Sequence, residues 1–435
     1  MSLDSREKKA YNKSSIRKIK SAAAASGAAA GPYKGGVTRM TDFLKRTWAE
    51  ISLDAIRENY RAIRDTLAPG CRMMAIVKAD AYGHGAGFVS RTLQEAGADW
   101  FGVSNLDEAL QIRKAGITRP ILILGYTPAR EAARLAAFAV TQTVCDREYG
   151  RELSRAAASA GVEVRVHIKI DTGMSRLGFL CQREEELPAA VGEAEEVCRL
   201  PGLHPEGIFT HFASADEEGG EAFTRRQFSL FRAAADALEE RGVHFSLRHC
   251  CNSAATLLYP DMHLDMVRPG LILYGLFPAP WLAGRIPLQP AMALKTVVSM
   301  VKNVPAGSVV SYGRTYETRR EAALATVPIG YADGYPRSFS NRAVMLVGGR
   351  RVPVVGRVCM DQCMLDVSAV PHVREGMVVT VFGREGGDTL PVEEFASLCG
   401  TVNYESICLI GKRVPRIFES GGRPVGQLNY IVPEE

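Results

Sequence analysis

The chain has 435 residues, of which 46% are hydrophobic and 23% are charged, a composition typical of a folded globular protein. Its formal net charge is +5, but residues 1–45 carry about +7 and the remainder is near −2. A near-neutral body argues against nucleic-acid binding, and no apolar run approaches the roughly 20 residues that cross a bilayer. We therefore expect neither nucleic acid nor a membrane as a partner.

The first 44 residues are rich in Ala, Ser, Gly and Lys and hold few large apolar side chains. Such a segment cannot bury enough surface to offset its ordering entropy, so we predict a disordered basic leader over residues 1–44. A secretory signal is disfavoured because the Ala-rich stretch is too weakly apolar. The ten cysteines include no CxxC spacing, which predicts reduced thiols in a cytoplasmic protein and no metal site.

Two kinds of segment alternate along residues 74–273. Helix-length amphipathic stretches such as 147–160 and 222–241 separate short apolar, β-branched runs. The runs are Met74–Val77, Trp100–Val103, Ile121–Leu124, Val140–Val144, Val164–Ile168, Gly207–Thr210, Phe245–Leu247 and Met266–Leu273. Eight strands alternating with helices predict an α/β fold, an N-terminal (β/α)8 barrel of the TIM type, over residues 45–286.

After about residue 286 the pattern changes to short strands separated by Gly and Pro turns. Examples are Leu294–Val304, Ala322–Val327, Val344–Val347, Val352–Gly356 and Met377–Phe382. This pattern predicts a second, mostly antiparallel β domain over residues 287–435. Ahead of the barrel, residues 48–53 alternate apolar and polar and predict a further strand, and residues 54–67 have helical spacing.

Chemically capable side chains stand at or near the carboxyl ends of the predicted barrel strands, where barrel active sites lie. Lys78 follows the first run, Lys169 and Arg176 the fifth, His211 the sixth and Ser253 the seventh. Arg268 and Gly270 lie within the eighth. Burial of a lysine stem among apolar neighbours favours a neutral, nucleophilic amine, so Lys78 is a candidate for attack on a carbonyl, with a surface lysine as the alternative.

Ser253 lies where barrels frequently bind phosphate, after strand 7, although a plain helix N-cap is the favoured explanation of this residue alone. Combined with Lys78, a phosphate site favours an aldehyde cofactor that carries a phosphate. Arg268 can donate a hydrogen bond to a pyridine nitrogen of such a cofactor but cannot transfer a proton, because guanidinium stays protonated. A structural ion pair is the alternative for Arg268.

Arg176 can bind a substrate carboxylate through two parallel hydrogen bonds. Lys169 should repel Arg176 unless the lysine is modified or turned away, and His211 alone is also explained by a structural role. In the β domain, polar aromatic clusters with glycines surround Tyr312, Tyr331 and residues 356–362, and turn chemistry explains each segment alone.

Together these segments resemble the alanine racemase family, pyridoxal-phosphate enzymes of fold type III, over nearly all of residues 45–430. The strings that carry the resemblance are VKADAYGHG, KIDTGMSRLGF, THFASAD, HCCNSAA, VRPGL, VSYGRTY, IGYADGYPR, GRVCMDQ and VNYESIC. Asp80 departs from the pattern, since many members have Asn there, and residues 1–44 have no counterpart.

The resemblance implies a two-base reaction in a head-to-tail homodimer with shared active sites. Lys78 would bind pyridoxal 5'-phosphate covalently and serve as the base for D-alanine. Tyr312 of the other copy would serve for L-alanine, linked to His211 and Arg268. The further positions implied are cofactor contacts at Tyr82, His211, Ser253, Arg268, Gly270, Leu271 and Tyr404, substrate contacts at Arg176, Met360, Tyr331 and Asp361, and a carbamylated lysine at Lys169. The strand at 48–53 would pair with the β domain.

These implications predict racemisation of L- and D-alanine that supplies D-alanine for peptidoglycan. A serine racemase of the same architecture is the nearest alternative, and Tyr404, part of the family's gate against larger side chains, favours alanine. A non-catalytic pyridoxal-phosphate carrier and a related barrel decarboxylase are further alternatives. Carriers lack a β domain and the opposing tyrosine, and this chain has both.

Overall fold

The structure of the protein is a computed structural model that describes residues 43–432. The chain forms two compact units. The barrel unit comprises residues 66–78 and 97–270, and the β unit comprises residues 43–65, 79–96 and 271–432. The predicted basic leader, residues 1–44, lies outside the described residues apart from Phe43 and Leu44.

Eight parallel strands form the barrel unit, as the alternation of apolar runs predicted. We number them 1 to 8 in chain order: Arg72–Ile76, Trp100–Val103, Ile121–Ile123, Val140–Val144, Val164–Asp171, Leu203–Phe209, Leu247–His249 and Met266–Val267. Barrel strand 8 pairs with barrel strand 1, and the order then runs in sequence to strand 7. Hydrogen bonds from the Asp265 N–H to the Arg248 oxygen (3.1 Å) and from the Arg268 N–H to the Cys251 oxygen (2.9 Å) nearly close the ring.

Helices follow the strands of the barrel unit and bury one face each. They span Leu106–Lys114, Ala132–Ala137, Arg147–Ala160, Leu187–Cys198, Glu221–Glu240 and Ser253–Leu258. The predicted helix 147–160 begins after Asp146, whose carboxylate accepts the Tyr149 N–H, and ends at Gly161 with φ of 63°. The sequence therefore marks this helix at both ends with an N-cap acceptor and a left-handed glycine.

Several strand ends differ from the predictions by a few residues, and two of these differences change the placement of site residues. Lys169 lies inside barrel strand 5, paired with Phe209 of strand 6, and the strand extends to Asp171 because its last two residues gain a partner in Phe179–Leu180. Barrel strand 8 ends at Val267, so Arg268 and Gly270 follow it instead of lying within it. Pro269 has no N–H for a strand ladder, which accounts for the early end.

The β unit is built on a large, mostly antiparallel sheet, as predicted. Its strands are Thr47–Ser52, Met292–Val297, Met300–Val304, Ala322–Val327, Val344–Val347, Arg350–Val355, Cys363–Asp366, Val378–Glu385, Asp388–Leu390, Arg416–Ser420 and Arg423–Leu428, beside a small hairpin of Val309–Val310 and Tyr316–Glu317. Thr47–Ser52 pairs antiparallel with Met292–Val297 and parallel with Arg416–Ser420.

Helices Leu53–Arg64, Ala86–Ala96, Val392–Cys399 and Asn403–Cys408 complete the β unit. One apolar core, including Ile51, Leu294, Val354 and Phe418, lies on the sheet. The compact units divide the chain differently from the predicted boundary at 286/287, since residues 53–65, 79–96 and 271–286 group with the β unit. The helices at 53–64 and 86–96 lie within the range 45–286 that was predicted as the barrel domain, but they group with the β unit.

Across residues 43–432, no helix combines the length and apolar character needed to span a bilayer. All ten cysteines are free thiols.

Candidate active site

Lys78 is half-buried and lies two residues after the end of barrel strand 1. The strand is anchored on both sides at this end: the Ile76 N–H donates to the Pro269 oxygen at 3.1 Å, and the Val77 N–H donates to the Gly102 oxygen at 2.9 Å. The lysine therefore leaves a backbone that is fixed by its neighbouring strands.

The next four residues, Ala79 to Tyr82, form a left-handed helical turn with φ between 52° and 55°. L-amino acids disfavour this conformation by roughly 1–2 kcal/mol per residue, because Cβ approaches a carbonyl oxygen. Such strain persists only where surrounding contacts hold the backbone in this conformation, and it is common at functional sites. The string that follows Lys78 thus encodes a strained turn.

Neighbouring groups of the β unit hold this turn. Nδ1 of His84 donates to the oxygens of Ala81 and Tyr82, both at 3.0 Å, and Nε of Arg416 donates to the Gly83 oxygen at 2.9 Å. Burial lowers the pKa of His84 to about 4, so the ring is neutral at pH 7. The turn therefore rests on donors that are themselves buried.

Asp80 also secures the turn, which explains the small polar residue at this position. Its carboxylate accepts the Ala86 N–H at 2.8 Å and the hydroxyl hydrogen of Tyr430. An Asn would still have one oxygen for Ala86 and an amide group for the Tyr430 oxygen. Both residue types therefore suit the position.

His211 marks the point where four cations converge in the barrel unit. Burial, followed by the charges of Arg268, Arg176, Lys169 and Lys78, lowers the pKa of His211 well below its ordinary value. The structure thus brings together the cations that the sequence placed at the ends of strands 1, 5 and 8. Such a cluster attracts anionic ligands.

Arg268 is buried in this cluster, and its hydrogen-bond partners within residues 43–432 are all neutral acceptors. Nη1 donates to Nδ1 of His249 at 2.9 Å, and Nη2 donates to the oxygens of Thr210 (2.8 Å) and Cys250 (2.9 Å). Nη2 also lies 3.3 Å from Nδ1 of His211. Burial lowers the pKa of Arg268 to about 10, which leaves it charged at pH 7.

No carboxylate of residues 43–432 lies within ion-pair distance of Arg268. The alternative role that the sequence left open for Arg268, a structural ion pair, is therefore absent from the described part of the chain. A buried guanidinium without a carboxylate is costly and favours a ligand that accepts from it.

Lys169 is buried beside this cluster and also lacks an ion pair among the described residues. Burial, followed by the charges of Arg176 and Arg268, lowers its pKa to about 8. The carboxylate of Asp171 acts in the opposite direction, but its Oδ1 accepts the N–H groups of Gly173, Met174 and Ser175 at 2.9–3.0 Å. The repulsion expected between Lys169 and Arg176 is therefore present.

Phe209, at the end of barrel strand 6, lies beneath these groups. Its ring stacks on His249 with centroids 4.8 Å apart, and Arg268 and Lys169 lie 5.3 Å and 5.6 Å from its centroid. Cation–π attraction partly offsets the cost of burying the two charges. Sequence reasoning singled out neither Phe209 nor His249, because only tertiary contacts reveal their neighbours.

Ser253 and Gly270 meet at the ends of barrel strands 7 and 8. The Gly270 N–H donates to Oγ of Ser253 at 2.9 Å. The N-cap of the following helix is Asn252, whose side chain accepts the Ala255 N–H, so the plain N-cap role considered for Ser253 is wrong. The Ser253 hydroxyl is consequently available for another use.

Within the β unit, Tyr82 lies close to Tyr404. Burial raises the pKa of Tyr82, and the neighbouring Tyr404 hydroxyl and Cys408 thiol raise it further. The ring of Tyr82 packs on that of Tyr274 with centroids 5.0 Å apart. Leu271 is buried in the core of the same unit. Tyr82 therefore stays a neutral hydroxyl donor at pH 7.

The remaining candidates of the β unit lie on exposed loops. Tyr312 is 71% exposed, Met360 52% and Tyr331 43%. Hydrogen bonds join two of the loops, since the Tyr331 N–H donates to the Cys359 oxygen at 3.1 Å. Oγ of Ser311 donates to the Arg357 oxygen at 2.6 Å and connects the third loop, which carries Tyr312. Three large, mostly apolar side chains are thus displayed together.

Asp361 is exposed and already paired. Its Oδ1 accepts from Nη2 of Arg413 at 2.6 Å, and Arg413 also donates to the fully buried Asp333. Arg46 donates to both carboxylate oxygens of Asp333 at 2.9 and 3.1 Å. Sequence reasoning missed this buried carboxylate between two arginines, because Arg46 and Asp333 are far apart in the chain.

Comparisons with known proteins agree with this architecture. The family model of the alanine racemase N-terminal domain matches residues 51–278, and that of the C-terminal domain matches residues 291–418. The chain is 49% identical over 379 residues to an alanine racemase of Desulfovibrio desulfuricans, covering 87% of this chain and 100% of that protein.

Solved structures give the same result. The structure of an alanine racemase of Clostridium difficile has a TM-score of 0.84 and 38% identity, covering 90% of this chain and 100% of that one. An alanine racemase of Bacillus anthracis with bound L-Ala-P has a TM-score of 0.82 and 39% identity, covering 90% of this chain and 99% of that one.

Proposed function

Because the chain belongs to the alanine racemase family, we propose that it interconverts L-alanine and D-alanine with pyridoxal 5'-phosphate as its cofactor. The observation that carries this proposal is the convergence of Lys78, Lys169, Arg176 and Arg268 around His211. The cofactor phosphate and the substrate carboxylate are both anions, and a cluster of four cationic side chains attracts anions. The proposal includes a cytoplasmic reaction that supplies D-alanine for peptidoglycan.

The barrel unit fits this cofactor. Lys78 offers a primary amine at a strand end, and Ser253 and Gly270 bring a hydroxyl and an N–H together at 2.9 Å. Arg268 is a buried donor without a carboxylate among the described residues, which suits a pyridine nitrogen. When bound, pyridoxal phosphate supplies an electron sink that weakens the α-carbon–hydrogen bond of an amino acid.

Racemisation needs one proton acceptor on each face of the α-carbon, and one lysine cannot reach both. We assign Nζ of Lys78 to the α-proton of D-alanine and the Tyr312 oxygen of a second copy to that of L-alanine. The 71% exposure of Tyr312 supports this arrangement, since a side chain so exposed is accessible to a second copy. The active form is then a homodimer with shared active sites.

The other assignments follow the matched positions. Arg176 and the N–H of Met360 bind the substrate carboxylate, and Tyr331 and Asp361 also contact the substrate. The cofactor contacts are Tyr82, His211, Ser253, Arg268, Gly270, Leu271 and Tyr404. Lys169 takes up carbon dioxide as a carbamate, which turns its repulsion of Arg176 into attraction. A pKa of about 8 supports this, because only the neutral amine reacts.

A chirality-resolved assay with and without added cofactor tests the proposal. Lys78→Ala should lower turnover of both alanine enantiomers roughly a thousandfold, because it removes the attachment point and one base. Lys114→Ala, at an exposed lysine, is the matched control and should leave turnover unchanged. Wild-type protein that binds the cofactor yet leaves alanine unchanged, or that prefers L-serine, would contradict the assignment.

Tyr312→Phe tests the second base. The equilibrium constant between enantiomers ties the two overall rates, so the readout is exchange of the α-proton with deuterated water from each enantiomer. We expect exchange from L-alanine to fall by about 10²–10³ and exchange from D-alanine far less. Tyr316→Phe is the control, because its ring packs in a small apolar cluster that a phenylalanine preserves. Equal, slight losses from both enantiomers would contradict the two-base assignment.

A further inference from the structure

Two histidines that the proposed reaction does not use are buried in the barrel and connect to Arg268. His249, in barrel strand 7, accepts from Nη1 of Arg268 through Nδ1 at 2.9 Å. Its Nε2 lies 2.9 Å from Nδ1 of His167, in barrel strand 5. Both rings are fully buried.

The chain of contacts continues to a carboxylate. Nε2 of His167 lies 3.8 Å from Oε1 of Glu206, whose side chain is 13% exposed. The same Oε1 accepts the hydroxyl hydrogen of Thr141 at 2.7 Å. Nε2 of His167 has no hydrogen-bond partner among the described residues, so Glu206 is the negative charge that faces it.

The direction of these hydrogen bonds follows from Arg268, the first donor in the series. A guanidinium only donates, so Nδ1 of His249 must lack a proton and Nε2 must carry it. Nε2 of His249 then donates to Nδ1 of His167, which leaves the proton of His167 on Nε2, facing Glu206. Burial, followed by the charge of Arg268, lowers the pKa of both rings, to about 3 for His167, so both are neutral.

Space for His167 is reserved by a glycine on the neighbouring strand. Gly207 is its register partner in barrel strand 6, and a Cβ at Gly207 would lie 2.6 Å from Cε1 and Nε2 of the ring. Trp100 packs on the ring with centroids 5.3 Å apart. The orientation of His167 is therefore fixed by packing as well as by hydrogen bonds.

We infer that Glu206, His167 and His249 are positioning residues that orient Arg268 toward the cofactor, with Glu206 reinforcing from the far end the tautomers that the guanidinium imposes on both imidazoles. With Glu206 in place, His249 always presents an acceptor to Nη1 of Arg268. Without it, the guanidinium alone opposes a shift of the protons to Nδ1, and a His249 that carries a proton on Nδ1 repels that guanidinium. The inference rests on the proposed cofactor site, because Arg268 is the residue it serves.

The primary test reads the tautomers directly in cofactor-free protein. Nitrogen-15 NMR of protein labelled on histidine, with resonances assigned through His167→Gln and His249→Gln, should show the proton on Nε2 of both rings. Glu206→Leu should move the proton of His167 to Nδ1 in part or in full, and Glu206→Gln, which keeps an acceptor oxygen, should preserve the wild-type pattern. A wild-type His167 or His249 with its proton on Nδ1 overturns the inference.

Cofactor affinity provides the second readout. The dissociation constant of pyridoxal phosphate should rise about tenfold in Glu206→Leu and less in Glu206→Gln. Glu239→Leu is the matched control, because Glu239 pairs with the exposed His244 on the surface of the same unit. If Glu206→Leu binds the cofactor with the same dissociation constant as the wild-type protein, the inference is overturned, while binding by the wild-type protein still supports the proposed function. If the wild-type protein does not bind the cofactor, the proposed function is contradicted, and the NMR measurement of the tautomers still tests the proposed role of Glu206 and the two histidines.

Discussion

Arg268 in the barrel unit and Asp333 in the β unit are both buried charges, but the protein treats them differently. Asp333 accepts from the guanidinium groups of Arg46 and Arg413 and the N–H of Gly330. In the part of the chain that the structure describes, Arg268 has only carbonyl oxygens and imidazole nitrogens as partners. The difference indicates that Asp333 serves the fold, while the charge of Arg268 is left for a ligand.

The largest expected effect comes from removing the compensation of Asp333. Arg46→Met combined with Arg413→Met leaves a buried carboxylate without a cation. We expect the free energy of unfolding of the β unit to fall by about 4 kcal/mol. Urea denaturation followed through the fluorescence of Trp48, which is buried in this unit, measures the change.

Adding Asp333→Leu to that double variant tests the cause. If burial of an uncompensated charge is responsible, the triple variant should recover most of the lost stability. A triple variant as unstable as the double variant would show that packing of the arginine stems, and not charge compensation, stabilises this region.

Lys169 extends the comparison, because it is a second buried cation without a carboxylate partner. Its amine is protonated up to a pH near 10.5 in the unfolded chain but only up to about 8 in the folded protein. Between these values the unfolded state binds more protons, so the free energy of unfolding of the barrel unit should rise with pH over this window, by roughly 3 kcal/mol.

Lys169→Met should remove this pH dependence. In buffer free of carbon dioxide, the variant should exceed the wild type by roughly 3 kcal/mol at pH 7, and the difference should vanish as the pH approaches 10.5. Bicarbonate should stabilise the wild type alone, through the carbamate proposed above. Lys114→Met, at an exposed lysine, should track the wild type throughout.

Arg268→Met sharpens the contrast between stability and ligand binding. Removing a buried charge offsets part of the lost hydrogen bonds to Thr210 and Cys250, so stability should fall by only about 1–2 kcal/mol. Affinity for pyridoxal phosphate should fall at least about tenfold, because the pyridine nitrogen loses its donor. A stability loss as large as that of the double arginine variant, with unchanged affinity, would assign Arg268 to the fold.

The smallest effect concerns backbone strain. Ala79 and Ala139 are exposed alanines with φ of 52° and 50°, one in the left-handed turn of the β unit and one in the barrel unit. Ala→Gly should stabilise the protein by about 0.5 kcal/mol at either position, as the relief of strain exceeds the added chain entropy. Only Ala79→Gly should lower kcat, about threefold, because it loosens the turn after Lys78.

Local patterns predicted much of the fold. Apolar runs located the barrel strands within a few residues, and amphipathic spacing placed the helix at 147–160. The ends of barrel strands 5 and 8 were placed wrongly, because a strand ends where its partners end and the partner segment Phe179–Leu180 carries little signal of its own. The left-handed turn at 79–82 also escaped prediction, since none of its residues is a glycine.

The sequence by itself determined the fold class, the family and the strand-end residues Lys78, His211, Ser253 and Arg268, because periodicity and motif order are properties of the chain. Tertiary structure alone decided which charges are compensated. Arg46 reaches Asp333 across 287 positions, and His167 reaches His249 across 82. The cost of a buried charge depends on the groups that surround it in space, and those groups come from distant parts of the chain.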